Sequence, residues 1–244
     1  MPETRFDFEL RTQMQRHIHL SLIAALLILL SIDRTLAQES ENASFRSVDD
    51  HPRLQSTSVG LQRERNEFGI WGAISFHSAS VIGRTPDAKF GNIGLRYGRV
   101  LLAKKTVALE WTIDAVPLAI LSNSRPVMQA DPTGRFIFTR ERKSVYGWGV
   151  APIGLKVNFR RNHRLQPFGQ ATGGFLYFSE PVPQSDAARF NFTLDFSGGV
   201  QVFSSNRRAF AVAYKFQHIS NGDRAPNNPG VDVQMVQVGF SVFR

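Results

Sequence analysis

From Glu67 onward, apolar and polar positions alternate with a period of two. Phe68, Ile70, Ile74 and Phe76 stand against Gly69, Trp71, Ala73 and Ser75, and Ile93, Leu95 and Tyr97 against Asn92, Gly94 and Arg96. Val107, Leu109, Trp111 and Ile113 oppose Ala108, Glu110, Thr112 and Asp114, while Val145, Ala151, Ile153, Leu155 and Val157 share a parity against Lys156 and Asn158. Phe190, Phe192, Leu194, Phe196, Val200 and Val202 form another row, as do Phe210, Val212, Tyr214 and Phe216, and finally Val236, Val238, Phe240 and Val242. Successive strand residues point to opposite faces, so this period predicts strands. The stretch from Leu165 to Ser179, Gly-rich with Phe on both parities, is ambiguous but fits one more. The total is about eight strands of roughly 10–14 residues, a length that crosses the hydrocarbon layer at a tilt. Strands of soluble sandwiches are usually shorter.

The polar rows carry Arg96, Glu110, Asp114, Lys156 and Asp195. A water-soluble barrel does not line its core with charges, whereas a membrane barrel turns its apolar face to lipid and its polar face inward. The links at Ala103–Lys105, Arg160–Arg164 and Ser204–Arg208 are short, and those at about 78–89, 121–144, 180–189 and 219–231 are long. Short periplasmic turns alternating with longer outer loops mark an eight-stranded, antiparallel, up-and-down transmembrane β-barrel, all-β in class. The chain ends Phe240-Ser241-Val242-Phe243-Arg244, an aromatic-rich last strand.

Composition narrows this picture. Phe (20 copies) and Gly (19) suit β-structure with aromatic girdles, and the absence of Cys rules out disulfides and thiolate metal sites. Net charge is +9, but the bases cluster in short links rather than along one aromatic-interleaved element, so solvated turns are preferred over specific anion binding and no nucleic-acid partner is expected. Arg5, Arg11 and Arg16 precede an apolar run from Leu20 to Leu30, with Thr35-Leu36-Ala37 behind it; residues 1–37 read as a signal peptide, the run being short for a membrane anchor. Residues 38–65 are polar and aperiodic, a flexible periplasmic extension, and 66–244 form the barrel.

The row Phe210, Val212, Tyr214, Phe216 ends in His218 and Ser220 on the same parity, and Asp232 shares parity with Val236 and Val238 on the next strand. A serine needs a base to become a nucleophile, and a carboxylate fixes the imidazole tautomer. The three converge on the exterior wall near the outer interface. Asn221 and the backbone N–H of Gly222 are oxyanion candidates, and Phe216, Tyr214, Val236 and Val238 a candidate groove for an acyl chain. Arg224, Arg84 and Arg140 are loop cations within reach of lipid phosphates, although loop arginines are usually solvated. His77 reads as a lumen-facing structural residue.

Phe216-Gln217-His218-Ile219-Ser220-Asn221, followed by Pro226-Asn227-Asn228-Pro229-Gly230-Val231-Asp232, resembles the C-terminal signature of the PagL-type lipid A 3-O-deacylases. That resemblance implies an eight-stranded outer-membrane enzyme that hydrolyses the ester-linked acyl chain at the 3-position of lipid A. By it, Ser220 is the nucleophile and His218 the base, with no metal or cofactor. The family pattern has Glu where this chain has Asp232, one methylene shorter, and Asp223 is a substitute acid. The implied partners are lipopolysaccharide and outer-membrane lipids. The sequence leaves the oligomeric state open, a homodimer included. A non-catalytic barrel and a lipid acyltransferase are the competing readings.

Overall fold

Eight antiparallel strands close into one barrel: β1 (Asn66–Ala79), β2 (Lys89–Ala103), β3 (Val107–Ala130), β4 (Phe136–Phe159), β5 (Leu165–Val182), β6 (Ala188–Ser205), β7 (Arg208–Ser220) and β8 (Val231–Phe243). Each strand pairs with its chain neighbour, and β8 returns to β1. The structure is a computed structural model that describes residues 61–130 and 135–244; the expected signal peptide over 1–37 and the extension as far as residue 60 lie outside the described residues.

The faces are inverted relative to a soluble protein. Ile74, Phe76, Ile153, Phe196, Val212 and Val238 are exposed on the outer wall, while Glu67, Glu110, Asp114, Lys156, Asp195 and Lys215 are buried in the lumen. Lipid outside and polar groups inside is the arrangement of an outer-membrane barrel. Charges removed from water are tolerable only when paired, and here they are. Lys156 Nζ lies 3.1 Å from Glu67 Oε2 and 3.4 Å from Glu110 Oε2. Arg96 grips Asp114 with two bonds of 2.8 and 2.7 Å, and Lys215 Nζ lies 3.3 Å from Asp195. An apolar layer closes each end of this polar middle: Leu61, Val100, Phe203 and Phe243 at one, Phe90, Leu121, Phe178 and Met235 at the other. The cavity left beside Trp71, Asp114 and Lys215 is about 10 Å³, room for one water at most. Side chains fill an eight-stranded interior, so any chemistry on lipid has to happen on the outer wall.

Several details depart from the alternation. The expected long link at 121–144 is mostly strand: β3 and β4 stay paired from Ser122↔Ser144 to Ala130↔Phe136. Beyond the membrane no lipid demands an apolar outer row, so the backbone ladder continues after the hydrophobic alternation has stopped. In β4, Ala151 is buried while Ile153 and Leu155 are exposed, because a bulge between Val150 and Ile153 shifts the register. The single shared parity expected there is therefore split, since a one-residue slip exchanges the faces. A second irregularity between Ser75 and His77 leaves His77 exposed, not in the lumen. In β5 one parity holds throughout, with Phe168, Leu176 and Phe178 inside. Residues 61–65, expected at the end of a flexible extension, include the fully buried Leu61, whose N–H donates to the Arg161 carbonyl at 3.1 Å.

Aromatic rings gather at two levels of the outer wall. Phe68, Tyr97 and Trp111 form one contact chain near the short turns, and Trp148, Phe175, Phe190 and Phe192 another near the long links. Such girdles mark the two membrane interfaces.

Candidate active site

The register of β7 and β8 sets His218 directly opposite Asp232. Directly opposed residues bring their Cβ atoms to roughly 4.5–5.5 Å, so even a short carboxylate can span the gap. Asp232 Oδ1 lies 2.6 Å from His218 Nδ1. Asp232 has outward parity yet is fully buried, because the β1–β2 loop folds over it. Its second oxygen, Oδ2, accepts the backbone N–H groups of Val81, Ile82 and Gly83 at 2.8, 2.6 and 2.8 Å. Consecutive N–H groups converging on one oxygen form an anion nest, a donor set matched to the carboxylate form. The loop is held down by Thr85 Oγ1 donating to the Gly230 carbonyl at 2.6 Å and by the Arg84 N–H donating to that of Pro229 at 2.5 Å.

Two glycines permit this closure. Gly230 has φ +61°, and a Cβ there would stand 3.2 Å from His218 Cε1 and 3.1 Å from Gly83 Cα. A side chain at 230 is therefore both strained in backbone and pressed against the imidazole. Gly230→Ala is expected to push the imidazole off its 2.6 Å contact with Asp232 while leaving the heat-resistant gel mobility of the barrel unchanged. NMR of the His218 ring in the purified variant checks this; ring resonances matching wild type would show that the imidazole does not depend on this contact.

Ser220 stands on the same outward row, two residues beyond His218. Its Oγ contacts the Asn228 side-chain amide, accepting from Nδ2 at 3.0 Å and lying 3.2 Å from Oδ1, and it accepts the Gly222 N–H at 3.2 Å. In this conformation the hydroxyl is engaged by Asn228 rather than by His218. Among the described residues, His218 Nε2 has no hydrogen-bond partner, so the ring's free nitrogen is the one away from Asp232.

The side chain expected beside Ser220 was that of Asn221, but it points inward. It is buried, and its amide donates to the Asn227 carbonyl at 2.9 Å. Adjacent strand residues face opposite sides, so Asn221 and Ser220 do not share the outer wall. Asn228 takes that place instead. It lies in the Pro-flanked segment of the motif quoted above, which was the only signal for it. Asp223, the substitute acid, accepts from Asn228 Nδ2 at 3.0 Å and does not contact His218. Of the groove residues, Tyr214, Val236 and Val238 are exposed and Phe216 is half-buried, forming an apolar strip below His218. Phe76 of β1 leans on Tyr214 with ring centroids 6.3 Å apart. No cluster of three or more metal-ligating side chains occurs among the described residues.

Residues 91–241, more than half of the chain and including the whole His218–Asp232 segment, match the family model for lipid A 3-O-deacylase, PagL. The chain belongs to the PagL family. It is thus a carboxylic ester hydrolase of the outer membrane acting on lipid A, and the inverted barrel with its two girdles is the frame that activity needs. Among solved structures, the barrel is similar to that of the outer membrane enzyme PagL, at 14% identity and a TM-score of 0.46 over 70% of this chain and 97% of that one. It is also similar to Neisserial surface protein A, at 12% identity and a TM-score of 0.41 over 73% and 95%. A third similar structure is Ail of Yersinia pestis with a heparin analogue, at 13% identity and a TM-score of 0.40 over 75% and 100%. No curated protein matches the chain in sequence. Asp232 of this member meets the imidazole through direct cross-strand opposition.

Proposed function

We propose that Ser220, His218 and Asp232 are the nucleophile, base and orienting acid of this PagL-family deacylase. The observation that carries the proposal is the 2.6 Å contact between Asp232 and His218 Nδ1, on the outer wall and two residues from an outward serine. Asp232 holds the proton on Nδ1, which leaves Nε2 as the acceptor. An ester entering from the membrane takes the Asn228 amide and the Gly222 N–H that now contact Oγ, and the freed hydroxyl turns to Nε2. Oγ passes its proton to His218 and bonds to the acyl carbon, and the carbonyl oxygen becomes an oxyanion held by those two donors. The intermediate collapses by releasing the sugar 3-oxygen, which takes the proton from His218. Water, deprotonated by the same imidazole, then cleaves the acyl-enzyme and releases the fatty acid. The acyl chain lies along Phe216, Tyr214, Val236 and Val238, where its partner is the surrounding lipid and not a water-filled pocket.

Purified protein in detergent, mixed with lipopolysaccharide, is expected to lower the lipid A mass by one ester-linked acyl chain and to release the free fatty acid. Mass spectrometry of both products checks it. An unchanged lipid A mass under every detergent condition would favour a non-catalytic barrel, and an acyl chain recovered on a second lipid would favour transfer.

A further inference from the structure

Arg224 lies in the β7–β8 link, four residues beyond the proposed nucleophile. Its guanidinium carbon sits 4.7 Å from the ring centroid of Phe192 and 5.6 Å from that of Phe190. These two rings pack edge to face at 5.1 Å, so the cation rests on a rigid aromatic corner. Phe192 is also the direct cross-strand neighbour of Ser220, and its ring borders Gly222. Arg224, Phe192, Gly222 and Ser220 therefore form one continuous patch at the outer girdle.

The charge of Arg224 is not consumed within the protein. Among the described residues no carboxylate pairs with it, and two acids of the loop cluster are tied to amides. Asp223 accepts from Asn228 at 3.0 Å, and Asp186 lies 3.4 Å from Asn227 Nδ2. Stacking on aromatic faces holds a guanidinium while leaving its N–H fork open, and that fork matches phosphate oxygens in pairs. An exposed cation fixed at headgroup height beside an ester-cleaving serine has an evident anion available. Lipid A is a phosphorylated sugar whose acyl chains descend into the bilayer while its phosphates stay at the interface.

We infer that Arg224, held on Phe190 and Phe192, binds a phosphate of lipid A and thereby positions the ester for Ser220. This rests on the reading of Ser220 as nucleophile. Arg224 is a binding and positioning residue and takes no part in the bond changes.

The test compares wild type, Arg224→Gln and Arg224→Lys on two substrates: phosphorylated lipid A and lipid A stripped of its phosphates. On the phosphorylated lipid, Arg224→Gln should raise KM about tenfold, the scale of one charge-assisted contact, with kcat nearly kept. Arg224→Lys should fall between, since lysine keeps the charge but lacks the planar fork. On the stripped lipid the three proteins should have the same KM. An equal loss on both lipids would make Arg224 a structural clamp of the loop, and no loss on either would make it a bystander; both overturn the inference while leaving Ser220 in place. Failure of the wild type to deacylate either lipid would overturn the underlying reading and this one with it.

Discussion

Ser220→Ala is expected to abolish lipid A deacylation, with a fall in rate of at least roughly 10³-fold, because no other step can begin without the Oγ–acyl bond. The barrel should be untouched. The substitution removes one oxygen from a half-buried outward position, and Asn228 keeps its other contacts, accepting the Asn221 N–H at 3.1 Å and donating to Asp223 at 3.0 Å. Loss of activity together with unchanged circular dichroism and heat-dependent gel mobility is thus the expected pair of readings. A variant that keeps its rate within tenfold of wild type would place the nucleophile elsewhere. A variant that fails to fold would show that Ser220 serves the β7–β8 link instead.

Asp232→Asn is expected to lower kcat by roughly 10⁴-fold, the scale seen when the orienting carboxylate of a triad becomes an amide. The reason is specific to the nest. Three backbone N–H groups already point at Oδ2, so an asparagine must turn its oxygen toward Val81, Ile82 and Gly83. Its NH₂ then faces His218 Nδ1 across the 2.6 Å contact. An amide donor there selects the tautomer with the proton on Nε2, and that nitrogen can no longer accept from serine. The loop itself should stay closed, since the oxygen still receives its donors. Asp232→Ala removes the anchor altogether and is expected to speed amide hydrogen exchange at residues 81–83. An unchanged kcat for Asp232→Asn would take this residue out of the mechanism, whatever its distance from the imidazole.

The strands could be read from the sequence because membrane-exposed walls impose a strict chemical alternation. Ile74 and Phe76 on β1, or Val236 and Val238 on β8, have only lipid to face, and Glu110 and Lys156 have only the lumen. Where that constraint ends, so does the signal. The outer halves of β3 and β4 continue as a ladder through Asn123↔Lys143, Arg125↔Glu141 and Met128↔Phe138 with no regular apolar–polar alternation, and appeared as a loop. Bulges are equally silent. The shifts near His77 and between Val150 and Ile153 come from how neighbouring strands pair, and no single strand encodes its partner's register.

The site divides in the same way. His218, Ser220 and Asp232 were visible as a shared outer face because parity is a local property. Asn221 was misplaced by that same parity once its neighbour Ser220 is set outward. Asn228 and the three N–H groups of the β1–β2 loop could not be found by pattern. They reach the site across the β7–β8 link and from the opposite end of the sequence.

From residue order alone came the transmembrane barrel, its inside and outside, and the outward trio, all consequences of side chains alternating between two solvents along each strand. Only in the tertiary structure does Asp232 meet the imidazole while lying buried among donors. It does so because pairing sets residue 232 squarely across from residue 218, and because a loop some 150 positions away in sequence, its glycine backbone pressed against Gly230, wraps the carboxylate in hydrogen-bond donors.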